Sequence, residues 1–95
     1  MTSVRYNAVM STSNITVYST SWCGFCHAAK QYFDKLGIDY TDKDVEHDRT
    51  AAQESVNKSG QMGIPVIDID GTIIVGFDRP KIDAALQAKN ISAKT

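Results

Sequence analysis

With 95 residues, the chain is long enough to bury one hydrophobic core and too short to form two domains. Its composition, 42% hydrophobic and 22% charged with a formal net charge of -1, is that of a globular protein and gives no electrostatic reason to bind nucleic acid or an anionic membrane. No apolar run could span a bilayer, and the first residues lack the apolar stretch of a secretory signal, so we expect a cytoplasmic protein.

The predicted elements begin after a lead-in at residues 1–13, whose serine and threonine content and lack of periodicity predict a flexible segment. The domain is predicted to occupy residues 14–95. Its first strand is indicated by Ile15 and Val17, which alternate with their neighbours as residues of a half-buried strand do. An apolar series at helical spacing follows later and stops at Gly37, a residue type that commonly ends helices.

The next predicted elements are a second strand at residues 38–41 and a second helix at residues 49–59, which Gly60 ends. Because a helix joins the first two strands, they should pair in parallel. His47 is expected to lie in the exposed N-terminal region of the second helix, without a catalytic role.

Asp70-Gly71 separates two β-rich runs at residues 66–69 and 72–75, and this dipeptide predicts an antiparallel hairpin. A last helix is predicted over residues 80–90, with Asp78 as its N-cap. The order β-α-β-α-β-β-α predicts an α/β domain in which three helices flank a central four-stranded mixed sheet.

Cys23 and Cys26 lie at the turn between the first strand and the first helix. Two residues three apart in a first helical turn have Cα atoms about 5 to 6 Å apart, which is within disulfide range. At a helix start, unpaired backbone N–H groups and a partial charge of roughly +0.5 favour an anion and can lower a thiol pKa from about 8.5 to about 7. We therefore expect Cys23 to be an exposed thiolate that attacks a substrate disulfide, and Cys26, one turn deeper, to resolve the mixed disulfide.

Two structural interpretations compete with this redox interpretation. A zinc site would need His27 and His47 as further ligands, but their spacing from the cysteines fits no zinc ribbon or finger. A static disulfide between Cys23 and Cys26 would close a loop so short that it would stabilise the fold little, and small secreted domains usually contain several disulfides. The redox interpretation is favoured over both.

Three features together make the chain resemble the glutaredoxin branch of the thioredoxin fold: Cys23-Gly24-Phe25-Cys26 after the first strand, Ile64-Pro65 before the third, and Gly76-Phe77-Asp78 before the last helix. The resemblance covers about residues 14–90, and the combination is more specific than the cysteine spacing alone. The final turn is most similar to that of small bacterial glutaredoxin-like redoxins. It is also similar to the redoxins that serve ribonucleotide reductase and are reduced by thioredoxin reductase.

The resemblance implies a binding surface beside Cys23. Pro65 resembles the cis-proline that faces the nucleophilic cysteine, so Ile64 would pair its backbone with an extended substrate or with glutathione. Residues 76–78 resemble the turn that holds the γ-glutamyl carboxylate of glutathione, and Gln61 resembles a residue near the glycyl carboxylate. An apolar rim beside the nucleophile is expected from Trp22, Phe25 and Phe77.

Two residues depart from the glutaredoxin pattern. Thr20 stands three residues before the first cysteine, where glutaredoxins commonly have a lysine that attracts both the thiolate and glutathione. Arg79 replaces a second acidic residue, which would meet the amino group of glutathione. Both departures weaken the prediction of glutathione binding, whereas Gln61, Pro65 and Asp78 support it.

The sequence therefore predicts a monomeric dithiol oxidoreductase that reduces protein disulfides through Cys23 and Cys26 and requires no metal or organic cofactor. Its electron donor is expected to be a thioredoxin reductase or else glutathione or another low-molecular-weight thiol. Two alternatives stay open beside this interpretation. One is a glutathione-dependent glutaredoxin that acts on mixed disulfides, and the other is a module that binds a metal or an iron–sulfur cluster through Cys23 across a dimer.

Overall fold

The computed structural model describes residues 14–89 and residue 91. Within them the elements follow the predicted order: β1 (Ile15–Ser19), α1 (Gly24–Leu36), β2 (Thr41–Asp44), α2 (Arg49–Ser59), β3 (Val66–Ile69), β4 (Thr72–Val75) and α3 (Arg79–Ala88). The predicted lead-in at residues 1–13 and the predicted end of the last helix at Asn90 lie outside the described residues. None of the three described helices has the length and hydropathy that crossing a membrane requires.

The four strands form one mixed sheet in the order β2-β1-β3-β4. β1 pairs in parallel with β2 and antiparallel with β3, and β3 pairs antiparallel with β4. Asp70 and Gly71 join β3 to β4 with φ angles of 49° and 98°. A two-residue hairpin turn of type I′ requires positive φ at both positions, so the predicted turn and its dipeptide are confirmed.

The second strand begins three residues later than predicted, because Thr41 and not Ile38 is its first residue. The N–H of Ile38 donates to the carbonyl of Phe33 at 3.0 Å, so this residue still belongs to the end of α1. Ile38 is buried, whereas β2 is an edge strand with largely exposed residues. The apolar residues that predicted a strand therefore belong to the segment between α1 and β2, where Ile38 is buried in the core.

The helices cover both faces of the sheet and enclose two cores. α1 and α3 pack on one face of the sheet. The core there is formed by residues of these two helices, of β1, β3 and β4, and by Ile38: Ile15, Val17, Ala29, Phe33, Ile38, Ile67, Ile69, Ile74, Ile82, Ala85 and Leu86. α2 packs on the other face, where Ala51 contacts Tyr18 and Val66. Successive residues of a strand point to opposite faces, which is why Val17 and Tyr18 enter different cores.

A polar network attaches α2 to the sheet. Tyr18 is fully buried, and its hydroxyl donates to Glu54 at 3.0 Å and accepts from Lys58 at 2.9 Å. Lys58 also forms an ion pair with Asp68 of β3 at 2.7 Å, and this partner, followed by Tyr18, raises the pKa of the Lys58 ammonium group. The buried hydroxyl is thus fully paired, so its burial carries no penalty for an unsatisfied polar group.

Phe33 is the aromatic centre of the α1 core, and its truncation should destabilise the fold. The side chain is fully buried, with its ring 6.2 Å from that of Tyr32 and 5.8 Å from that of Tyr40. Phe33→Ala is expected to lower the free energy of unfolding in urea by about 3 to 5 kcal/mol, since it leaves a cavity. The matched control Phe25→Ala, on the same helix but at a 70% exposed position, should change it by less than about 0.5 kcal/mol.

Candidate active site

Cys23 is the N-cap residue of α1. Its φ and ψ angles of -92° and 113° are those of extended backbone, and the helix begins at the next residue. The Cys23 Sγ accepts a hydrogen bond from the backbone N–H of Cys26 at 3.1 Å. The sulfur therefore takes the place that a serine or aspartate oxygen usually takes at a helix start.

Both cysteines are free thiols, and they differ in depth. Cys23 is 8% exposed and Cys26 is 0% exposed. The prediction that Cys23 is exposed is wrong, because its side chain folds back onto the first turn of α1 to accept the hydrogen bond. The predicted order of depth is confirmed, since Cys26 lies deeper than Cys23.

Cys26 is a neutral thiol at physiological pH. Burial, and next the side-chain hydrogen bond with Cys23, raise the pKa of the Cys26 thiol from 9.0 to about 12. A backbone hydrogen bond from Thr20 and the charge of Lys30 oppose this rise and are outweighed. A cysteine with this pKa does not compete with its neighbour for the first attack on a disulfide.

Thr20 lies directly after β1, next to the cysteine pair. Its carbonyl accepts from the N–H of Cys23 at 3.4 Å, and the residue is only 5% exposed. Its Oγ1 has no hydrogen-bond partner within the described part of the chain. The ammonium group of Lys30, the cation that acts on Cys26, is paired with Asp42 at 2.9 Å. Thr20 thus stands where glutaredoxins commonly have a lysine, and it brings no charge to the cysteine pair.

The Ile64–Pro65 peptide bond is cis, as predicted. Pro65 is fully buried, and its carbonyl accepts from the N–H of Gly76 at 2.8 Å. Ile64 lies beyond the last pair of the β3–β4 ladder, which joins Val66 to Val75, so its backbone is not part of the sheet. The hydrogen bond between Pro65 and Gly76 brings the proline beside the turn that leads into α3.

A groove of about 630 Å³ runs between α1, the cis-proline and this turn. We call it the proline groove; it is lined by Phe25, Ile64, Pro65, Val75, Gly76, Phe77, Asp78, Arg79 and Pro80. Six of these residues were predicted as binding residues from the sequence. These residues come together because β3 and β4 pair antiparallel, which places the end of β4 beside the start of β3. The groove is chiefly apolar, and its polar groups come from the start of α3.

The apolar rim is present in part. Trp22 and Phe25 are each 70% exposed, so their rings are available to a partner. Phe77 is half-buried, and its ring meets that of Tyr32 edge-on with centroids 6.0 Å apart. Phe77 therefore combines core packing with a place in the proline groove, whereas Trp22 is not among the residues that line it.

The start of α3 carries two charged residues with fixed surroundings. Asp78 is the predicted N-cap: its Oδ1 accepts from the N–H of Lys81 at 3.3 Å, and its Oδ2 lies 3.9 Å from the Lys81 Nζ. The guanidinium of Arg79 lies over the ring of Tyr32, 4.5 Å from its centroid. The sequence pattern did not single out Tyr32 as a site residue. The feature that could have indicated its role is the hydroxyl group, because a polar group on an otherwise apolar helix face needs a hydrogen-bond partner.

Gln61 is not brought to the proline groove. Its side-chain Nε2 donates to Ser59 Oγ at 3.2 Å and to the carbonyl of Gly63 at 3.0 Å, while its Oε1 accepts from the N–H of Gly63. The amide is thus engaged within its own loop. It is absent from the residues that line the groove, so its predicted contact with the glycyl carboxylate of glutathione stays a prediction.

The histidines do not join the cysteines in a metal site. The ring of His27 contacts the carbonyl of Ser21 at 2.9 Å, and His47 pairs with Asp44 at 2.7 Å, which raises the pKa of the imidazole. His47 is exposed just before α2. Among residues 14–89, the group whose ligand atoms come close enough to share a metal is Asp44 with Glu46 and His47, and all three are exposed.

Comparison with known proteins identifies the family of the chain. The model of the glutaredoxin family, described as Glutaredoxin, matches residues 15–74. The chain belongs to the glutaredoxin family. Its four-stranded mixed sheet with three helices has the thioredoxin-like fold that the resemblance implied.

Individual relatives are similar along most of their length. An uncharacterised glutaredoxin-like 8.6 kDa protein from the rubredoxin operon of Clostridium pasteurianum is 41% identical over 73 residues, which cover 77% of this chain and 97% of that protein. A putative glutaredoxin of Mycobacterium tuberculosis is 35% identical over 80 residues, covering 81% and 94%. The structure of the glutaredoxin-like NrdH-redoxin from Escherichia coli is 27% identical, with a TM-score of 0.66 over 75% of this chain and 92% of that one.

The depth and pKa of Cys26 predict selective alkylation of this glutaredoxin. Iodoacetamide at about pH 8.5 is expected to modify Cys23 in the reduced protein and to leave Cys26 unmodified, because a buried thiol with a pKa of about 12 supplies almost no thiolate. Labelling of Cys26 should rise only as the pH approaches about 12. Peptide mass spectrometry measures both sites. Equal labelling of the two thiols in the folded protein would contradict the assignment, and Cys23→Ser serves as the control that isolates Cys26.

Proposed function

We propose that this chain is a dithiol thiol-disulfide oxidoreductase that reduces disulfides of protein substrates. The observation that supports this function is the asymmetry of the pair: Cys23 caps α1 and accepts an N–H, whereas Cys26 is fully buried with a raised pKa. Such an arrangement separates a nucleophile from a resolving thiol. The reducing cytoplasm is the proposed compartment, since it keeps a pair of this kind reduced between cycles.

The reaction would proceed in two exchanges. In the first, the Cys23 thiolate attacks one sulfur of the substrate disulfide, and the other substrate sulfur leaves as a thiolate. In the second, the Cys26 sulfur attacks the Cys23 Sγ and forms the Cys23–Cys26 disulfide, while the bond from Cys23 to the substrate breaks. The remaining substrate sulfur leaves as a thiolate and takes up the proton that Cys26 loses. Two electrons pass to the substrate, and a reductant must return them. No metal or organic cofactor is required in either exchange.

The proline groove is the proposed binding surface for an extended substrate chain. Ile64 lies outside the sheet ladder, so its backbone is available to pair with a strand of the substrate. Phe25 lines the groove and is largely exposed, and Trp22 is exposed to the same degree immediately before the nucleophile. Large exposed aromatic side chains around a reactive group suit contact with a protein.

A protein reductase of the thioredoxin-reductase type is the proposed electron donor, in preference to glutathione. The side-chain amide of Gln61 is engaged by Ser59 and Gly63, and Arg79 and Thr20 replace groups that would meet glutathione. The similar NrdH-redoxin of Escherichia coli has a thioredoxin-like activity profile. Asp78 at the start of α3 remains the residue most suited to a glutathione contact, and it makes glutathione the competing donor.

Cysteine variants test the proposed roles. Cys23→Ser is expected to abolish reduction of insulin by the protein. The Cys26→Ser protein should form the mixed disulfide between Cys23 and the substrate but should not resolve it. Mixed disulfides between Cys23 and the substrate should then accumulate and be visible by mass spectrometry under non-reducing conditions. Ser21→Ala, a neighbouring change outside the pair, controls for local disturbance. Full dithiol activity in the Cys26→Ser protein would show that the resolving role is wrong.

The donor is tested by the oxidation of NADPH in two coupled assays. With thioredoxin reductase the oxidised protein should turn over at least roughly tenfold faster than with glutathione and glutathione reductase, a difference of about 1.4 kcal/mol in transition-state stabilisation. Arg79→Asp restores the acidic residue that glutaredoxins commonly have and should raise the glutathione rate. Faster turnover with glutathione in the unmodified protein would contradict the proposed donor and leave the cysteine roles intact.

A further inference from the structure

A second hollow adjoins the proline groove, between α1 and the start of α3. We call it the basic hollow; it has a volume of about 350 Å³ and is lined by Ala28, Gln31, Tyr32, Lys35, Phe77 and Arg79. The four residues from α1 are spaced three and four apart, so they lie on one face of the helix. Phe77 and Arg79 line the proline groove as well, so the two hollows are neighbours on the surface.

Two cations flank this hollow, and the acidic residue beside it is already engaged. Arg79 lies over the Tyr32 ring at 4.5 Å, and its Nη2 donates to the Tyr32 hydroxyl at 3.5 Å. The same hydroxyl donates to Asp83. Lys35 stands on the last turn of α1, and the residues that line the hollow include no carboxylate. The guanidinium is therefore held in place, with Lys35 as a second positive group on the same hollow.

We propose that the basic hollow binds an acidic segment of the protein whose disulfide is reduced, a partner that rests on the function proposed above. The chain as a whole has a net charge of -1, whereas Lys35 and Arg79 give this hollow two positive side chains. Such a local positive charge attracts carboxylates. A planar guanidinium that is already oriented can accept a carboxylate in a bidentate manner. Tyr32 and Phe77 add an apolar floor on which the substrate backbone can lie.

The length of α1 sets where the acidic residues of the substrate must be. Lys35 is twelve residues after Cys23, which corresponds to about 18 Å along a helix. An extended chain covers this distance in about five or six residues. A substrate that pairs its cysteine with Cys23 and follows the proline groove would thus place acidic side chains about five or six residues from that cysteine.

The experiment compares two synthetic peptides, each joined by a disulfide to the same small neutral thiol. One carries glutamates about five residues from its cysteine, and the other carries glutamines there. At low ionic strength the unmodified protein is expected to reduce the glutamate peptide with a kcat/KM about two- to fivefold higher, the range of an exposed ion pair. The preference should fall as salt is raised to about 0.5 M, because the charges are screened.

Lys35→Gln should remove most of this preference, since glutamine keeps a helix propensity close to that of lysine and lacks the charge. Lys89→Gln is the matched control: it makes the same change in net charge at the exposed C-cap of α3, about 15 Å from Arg79 along the helix. The Lys89→Gln protein should therefore retain the preference for the glutamate peptide.

Equal rates for the two peptides in the unmodified protein would contradict the proposed binding of an acidic segment. They would not contradict the oxidoreductase function. Failure to reduce either peptide would overturn the function as well. Reduction of glutathione disulfide with the same dependence on Lys35 would also overturn the inference, because it would make the hollow a site for carboxylates of small molecules.

Discussion

The hydrogen bond from the N–H of Cys26 to the Sγ of Cys23 is the contact on which the site depends. It exists because a cysteine takes the N-cap position of α1, where an unpaired backbone donor needs an acceptor. The same bond holds Cys23 against the helix, at the edge of the protein, while the next turn carries Cys26 into the core. A single local constraint therefore accompanies the difference in depth between the two sulfurs.

The sheet and the segments that flank β3 and β4 then supply most of the groove that Phe25 of α1 also lines. β3 and β4 form a tight hairpin, and the bond between Pro65 and Gly76 holds the cis-proline against the turn into α3. This turn delivers Asp78 as a helix cap and Arg79 as a cation stacked on Tyr32. Residues from three separate parts of the chain thereby line one groove, with a largely apolar floor and charge at one end.

Three features support the proposed protein substrate over a small peptide thiol. Gln61 satisfies its amide within its own loop, and the buried Thr20 brings no cation to the cysteines. Arg79 is held over the ring of Tyr32 and places a positive group at the end of the proline groove, next to Phe77. All three features are consistent with the proposed substrate, a protein chain that would extend from the nucleophile along α1.

The sequence alone determined the features that depend on a few neighbouring residues, because caps, turns and periodicity act locally. These are the element order, the ends of α1 and α2, the hairpin turn and the cap Asp78. Only the tertiary structure decided what depends on packing between distant segments. The start of β2 shifted because its ladder with β1, and not its own apolar pattern, defines an edge strand. The contact between Tyr32 and Arg79 likewise arises only when α1 and α3 come together, since no local pattern encodes which side chains then meet.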